Sequence, residues 1–208
     1  QKNMLSALLA GDVAPEQWGN PARRADFFDL KADLEAILAQ TGCPELFGFT
    51  PAEHPSLHPG QSARIQREGT DIGWIGMVHP EIEAKLGLAG HTYLFEIHTE
   101  SVLDGSLPAF EPLSKFPSIR RDIAIVVDEK VHFSTVVSCI RSAAPQILQE
   151  VRLFDVYTGE KVDSGRKSLA LGLILQETSH TLTDQEVEEV VQRILQALTD
   201  QLQANLRD

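Results

Sequence analysis

Apolar positions recur along this chain with two periods, one of three to four residues and one of two, and the changes of period mark out its elements. Met4 to Ala10 is a short apolar run that reads as a buried strand. Asp26 then opens a helix in which Phe27, Leu30, Leu34, Ile37 and Leu38 share one face. Asp26 and Asp29 suit its amino end, and Gly42 suits a left-handed close. TPAEHPSLHPGQ reads as a loop, and SARIQRE and DIGWIGMVH as two strands turning around Gly69. Pro80 fits the first position of a short helix closed by Gly87, and TYLFEIH alternates as another strand.

A segment with three prolines and three serines, GSLPAFEPLSKFPS, follows, and its composition is that of a linker. Beyond it, Arg120 to Val127 alternates as a strand, and a helix runs from about Phe133 to Ala144, stopped by Pro145. EVRLFDVYTG and KSLALGLILQE read as two strands around a polar turn holding Gly159 and Gly165. Thr183 caps a long helix, with Glu186 three residues on completing a capping box and an apolar stripe from Val187 to Leu202. The closing ANLRD has room only for an edge strand.

The expected fold class is α+β: a mixed domain with an antiparallel sheet over residues 1–104, a linker over 105–117, and a β-α-β-β-α-β split sandwich of ferredoxin-like type over 118–208. In such a sandwich both helices cover one sheet face, leaving the other to water or to another molecule. Leu169, Leu171, Leu173 and Leu175 share the parity that faces the core, while Ser168, Ala170, Gly172 and Gln176 share the open one. In the preceding strand Arg120 falls with Asp122 and Ala124 on the less apolar side. Arg121 falls with Ile123 and Ile125 and has to snorkel out at the strand end.

Charge makes the open face more interesting. The net charge is −12, which excludes wholesale phosphate binding, so any nucleic-acid contact needs a local patch. From Lys115 to Lys167 nine Lys and Arg stand against seven acids, whereas from Glu177 to Asp208 two arginines stand against seven acids. The cations gather at Lys115, Arg120, Arg121, Arg152, Arg166 and Lys167, a pattern that suits strand positioning by phosphates and equally a solvated rim of strand ends. The 208 residues, 42% of them apolar, suffice for one or two globular cores. Cys43 and Cys139 lie apart with no paired spacing, and no apolar run approaches membrane-spanning length. A soluble, cytoplasmic protein is expected. A start on QKNMLSALLAG, in mid-pattern with an apolar segment and no initiator Met, is expected of a piece of a longer polypeptide.

The vocabulary of catalysis is missing: there is no phosphate-binding glycine loop, dinucleotide fingerprint, zinc-protease motif or nucleophile elbow. His54 and His58 flank prolines and cannot share a helix face, so with His79 they are expected to order loops and not to bind metal. Cys139, beside Val136, Val137 and Ile140, is expected in the core.

FPSIRRDIAIVV, LFDVYTGEKVDSGRKSLALGLILQ and SHTLTDQEV resemble the C-terminal ferredoxin-fold anticodon-binding domain of the bacterial phenylalanyl-tRNA synthetase β subunit. The matched positions are Phe116, Pro117, Arg120, Arg121 and Asp122, then Phe154, Asp155, Tyr157, Gly159, Gly165, Lys167 and Ser168. DFFDLKADLEAIL, LHPGQSARI and IGWIGMVHPE resemble the end of the catalytic-like domain of that subunit. The resemblance implies an α2β2 enzyme that joins phenylalanine to tRNA(Phe) using ATP and Mg2+, with the active site on the α subunit. It also implies a class II-like β domain without catalytic motifs and an anticodon end received by the last domain. One departure is His180, where the family often has arginine.

On that footing Arg121, Arg166 and Lys167 are expected to contact the tRNA backbone, with Arg207 on the final strand and Arg120 as further candidates, and Ser168 on the open face. Asp155 and Tyr157 suit base reading and base stacking. Asp155 keeps two readings, because if Val151 and Leu153 face the core it follows them inward unless a bulge intervenes. In that case it pairs with Arg120 or Arg121. The alternative function is a small-ligand regulatory or oligomerisation module with the same fold.

Overall fold

The computed structural model describes residues 2–105, 113–159 and 162–207, and the chain divides into two compact units, Gln1–Phe110 and Glu111–Asp208. Most of the expected linker, residues 106–112, lies outside the described residues.

The first unit is a five-stranded antiparallel sheet with one long helix laid on it. Its strands are β1 (Met4–Ala10), β2 (Phe47–Pro51), β3 (Leu57–Arg67), β4 (Thr70–Val78) and β5 (Thr92–His98), ordered β1-β5-β4-β3-β2. Helix α1 (Phe27–Ala39) buries Leu30, Leu34 and Leu38 against Ile65, Ile75, Met77, Phe95 and Ile97. It begins where expected: Asp26 Oδ1 accepts from the Phe28 and Asp29 amides, and Asp29 returns the contact by accepting from the Asp26 amide at 2.8 Å. Helix α2 (Pro80–Leu86) ends on Gly87 at φ +66°, and a single turn, α3 (Glu100–Leu103), follows β5.

Three features depart from the sequence expectation. Strand β1 is present but is not buried: it pairs with β5 alone, so Leu5 and Leu9 reach the core while Leu8 is 65% exposed. An apolar run by itself does not distinguish an edge strand from a central one. Strand β2 was not expected, and its Thr50 and Pro51 belong to the stretch read as a loop; as an edge strand it tolerates Gly48 and Pro51. Strand β3 takes in His58, Pro59 and Gly60, and its register slips between Leu57 and Ser62, so the proline falls on an irregularity that needs no amide. The hairpin turn sits on Glu68 and Gly69, both at positive φ.

The histidines order loops, as their spacing implies. Nδ1 of His54 accepts from the Ser56 amide, that of His58 from Gly60, and that of His79 from Glu81 at the start of α2.

The second unit is the β-α-β-β-α-β sandwich: β6 (Ile119–Asp128), α4 (Phe133–Ala143), β7 (Leu148–Tyr157), β8 (Arg166–Leu175), α5 (Asp184–Leu202) and β9 (Asn205–Leu206). The sheet order is β7-β8-β6-β9, every neighbour antiparallel. Both helices bury their stripes on one face, where Val136, Cys139 and Ile140 of α4 and Val187, Val190, Ile194 and Leu198 of α5 meet Ile123, Ile125, Leu169, Leu171 and Leu173. Burial in this core pushes the Cys139 thiol pKa up, so the thiol is packing and not a nucleophile. The capping box of α5 is closed, with Thr183 Oγ1 accepting from the Glu186 amide and Glu186 Oε2 accepting from the Thr183 amide at 2.8 Å.

Two predictions follow from these contacts. A Cβ placed on Gly73 of β4 stands 2.0 Å from the Glu96 carbonyl oxygen and 2.8 Å from Ile97 Cα. Gly73→Ala therefore forces β4 off β5 and is expected to destabilise the first unit by about 2 kcal/mol, read as a lower urea midpoint. The two capping-box acids contribute to the acid limb of stability. Arg23 beside Asp29 holds that carboxyl at about 2, and the Thr183 amide, with His180, holds Glu186 at about 2. Both folded values lie below the unfolded ones, so their stabilisation is complete above the ordinary carboxylate range and is lost as pH falls from about 5 toward 2. Glu186→Gln is expected to flatten that limb for the second unit in acid titrations followed by circular dichroism; an unchanged limb would exclude the assignment.

Candidate nucleic-acid interface

Strand β8 carries the helix-free face of the second unit because the even residues at its centre, Ser168, Ala170 and Gly172, are small. Register sets three rows across that face: Asp122, Gly172 and Arg152; Ala124, Ala170 and Asp155; Val126, Ser168 and Tyr157. The middle row is a floor of two alanines with a carboxylate at one end. The outer rows carry the large groups.

One side is held by Arg120. Its Nε donates to Asp122 Oδ1 at 2.7 Å, its guanidinium lies 5.4 Å from the Phe154 ring centroid, and it covers Gly172, where an added Cβ would stand 3.1 Å from Nε. The other side is held by Arg207. Its guanidinium lies 4.9 Å from the Tyr157 ring centroid and donates to Ser168 Oγ at 3.1 Å, and its amide donates to the Ala124 carbonyl at 2.8 Å. Tyr157 is backed at its phenol end by Gly159, where a Cβ would stand 2.1 Å from Oη. At the rim Arg152 pairs with Glu150 at 2.7 Å, which lowers the Glu150 pKa and raises that of Arg152.

The parity of Asp155 is settled by a bulge. The register of β7 against β8 slips between Leu153 and Asp155, with Phe154 as the extra residue, so Leu153 opposes Leu171 while Asp155 opposes Ala170. Asp155 therefore stands on the helix-free face. The two arginines proposed as its partners are engaged elsewhere, Arg120 with Asp122 and Arg121 with Asp184 Oδ1 at 3.2 Å. Among the described residues Asp155 has no ion pair, so its carboxylate is available to a donor.

The residues singled out from sequence divide between the two faces. Arg120, Asp155, Tyr157, Ser168 and Arg207 converge on the helix-free face. Arg121 opposes Leu173 and turns to the start of α5; Lys167 opposes Val127 and donates to the Glu129 carbonyl at 2.9 Å. Arg166 donates to the carbonyls of Val126 and Gln203, both at 2.8 Å, bracing the turn into β9, where Gln203 is at φ +51°. His180 holds the α5 cap through Glu186 Oε1 at 2.9 Å. Sequence reasoning missed Phe154 and Gly159 as parts of the site; the bulge that exposes the first has no local signature in an apolar run.

No group of three or more His, Cys, Asp or Glu among the described residues is placed to hold a metal ion, and no described helix is long and apolar enough to cross a membrane.

Comparison with known proteins agrees with this division. Residues 1–99 match the family described as phenylalanyl tRNA synthetase beta chain CLM domain, and residues 114–207 match the ferredoxin-fold anticodon binding domain. The chain is 49% identical over its whole length to the phenylalanine–tRNA ligase beta subunit of Nitrosococcus oceani, 46% to that of Pseudomonas fluorescens and 43% to that of Methylococcus capsulatus. It spans 26% of the length of each. Two family matches in the relatives' order, over both units described above, have one consequence: the chain belongs to the bacterial phenylalanyl-tRNA synthetase β-chain family.

Proposed function

We propose that this chain is the C-terminal part of the β subunit of a cytoplasmic α2β2 phenylalanine–tRNA ligase, in which the second unit receives the anticodon end of tRNA(Phe) on its helix-free face. The first unit, a class II-like fold without catalytic motifs, then serves as scaffold, and residues 105–117 connect the two. The observation that carries the reading is the slot floored by Ala124 and Ala170, with the unpaired Asp155 at its end and an arginine-stacked ring on either side. An aromatic ring offers a base its π-face, a carboxylate accepts from base amino or imino groups, and small residues let the strand approach the sheet. A small-ligand regulatory module has less support, because these polar groups are spread in rows across a sheet face that neither helix covers.

Attachment of phenylalanine with ATP and Mg2+ belongs, in this reading, to the α partner. Among the described residues no group of three or more His, Cys, Asp or Glu is placed to hold a metal ion, and in this reading no step of the reaction is assigned to this segment. Their work is positional: they fix where the anticodon lies and so where the acceptor end reaches.

Binding of tRNA(Phe) to the full-length β chain in its native assembly tests the proposal. Tyr157→Ala and Asp155→Asn are each expected to weaken binding by about tenfold, the loss of one stacked base or one base-edge acceptor. Affinity unchanged by both substitutions would sink the reading. Arg166→Ala is expected to lower the stability of the second unit by about 2 kcal/mol through two orphaned carbonyls. The slope of log affinity against log salt should stay as it is, since that guanidinium already serves the backbone. A flattened slope would return Arg166 to the phosphate contacts.

A further inference from the structure

Arg207 starts from the edge strand β9 and reaches across the sheet to the opposite edge. Its amide is fixed to Ala124 of β6, its guanidinium donates to Ser168 of β8, and the same guanidinium lies over Tyr157 of β7. Ser168 is 3% exposed although its face has no helix, and among the described residues the guanidinium is its side chain's one hydrogen-bond partner. The tyrosine ring is confined as well: Gly159 backs its phenol end so closely that a Cβ there would stand 2.2 Å from Cζ. The ring cannot turn away from the guanidinium in that direction.

A guanidinium is planar and delocalised and stacks on aromatic faces as a base does. It therefore occupies the volume over Tyr157 that a stacked base requires. It also holds the Ser168 hydroxyl, which shares this row with the Tyr157 phenol. We propose that Arg207 is a displaceable placeholder: it keeps the Tyr157 and Ser168 position closed until a nucleotide takes its place, and on displacement it swings to the β9 edge with its charge intact. The placeholder rests on the reading that this face binds tRNA. It makes Arg207 a positioning residue whose free-state contact lowers apparent affinity, because only the fraction of molecules with the bar displaced is competent to bind. Arg120 differs, since its guanidinium is tied to Asp122 on its own strand and stays beside the slot when Phe154 is stacked upon.

The test is equilibrium and stopped-flow binding of tRNA(Phe) to the full-length β chain in its native assembly, comparing wild type, Arg207→Lys and Tyr157→Ala. Lysine keeps the charge but lacks the planar fork. Arg207→Lys is expected to bind about threefold more tightly, with the gain in the association rate and the salt slope unchanged. Equal or weaker binding by Arg207→Lys, alongside a loss in Tyr157→Ala, would overturn the placeholder and leave the tRNA face standing. So would tighter binding that comes from slower dissociation, since it would mean a new lysine contact. No loss in Tyr157→Ala would fail the tRNA reading itself. A thermal midpoint equal to wild type for Arg207→Lys separates these outcomes from unfolding.

Discussion

Strand β8 is hydrogen-bonded to β6 along one side and to β7 along the other, and its side chains divide strictly by parity. Leu169, Leu171, Leu173 and Leu175 are sealed under α4 and α5, while Ser168, Ala170 and Gly172 line the opposite face. Each half of that division needs the other. Four leucines in one row give the two helices a surface to bury, and the small residues opposite let groups from the flanking strands lie across the sheet. A large side chain at Gly172 would lift Arg120 off the face and with it the stack on Phe154. The apolar core and the helix-free face are thus two readings of one ten-residue strand.

On that frame the bulge in β7 decides which chemistry is presented. Before it, Val151 and Leu153 follow the core parity; after it, Asp155 and Tyr157 occupy the helix-free face, and Phe154 is pushed outward. An extra residue in an edge strand costs little pairing, since only one side of the strand is hydrogen-bonded. It also interrupts an otherwise regular exposed edge, a disposition that discourages strand addition by other chains.

The arginines illustrate how a local excess of cations separates into different duties. Arg121 and Lys167 leave the sheet on the helix side, Arg166 braces the turn that delivers β9, and Arg120 and Arg207 lie over aromatic rings. The net charge of −12 persists around them, with α5 contributing five acids against one arginine, so positive charge on the helix-free face is a few placed guanidinium groups and not a broad positive field.

The order and type of the elements in the second unit were legible from the chain itself, because hydrophobic period, capping residues and glycine turns are local signals. The Thr183–Glu186 box, the α5 stripe and the leucine parity of β8 all appear in the structure at the positions their spacing specifies. So does the opposite parity of Arg120 and Arg121. What the sequence left open depended on pairing between distant segments. Whether Met4–Ala10 is central or edge, and whether Phe47–Pro51 and the His58–Gly60 stretch join the sheet, turns on which strands lie beside them. The face on which Asp155 stands required a register slip against β8. The partner of each arginine required knowing what lies within reach across the sheet, as with Arg207 over Tyr157, fifty residues away in the chain. Period and capping are written in neighbouring residues, whereas register and reach are set only when strands far apart in sequence share their hydrogen bonds.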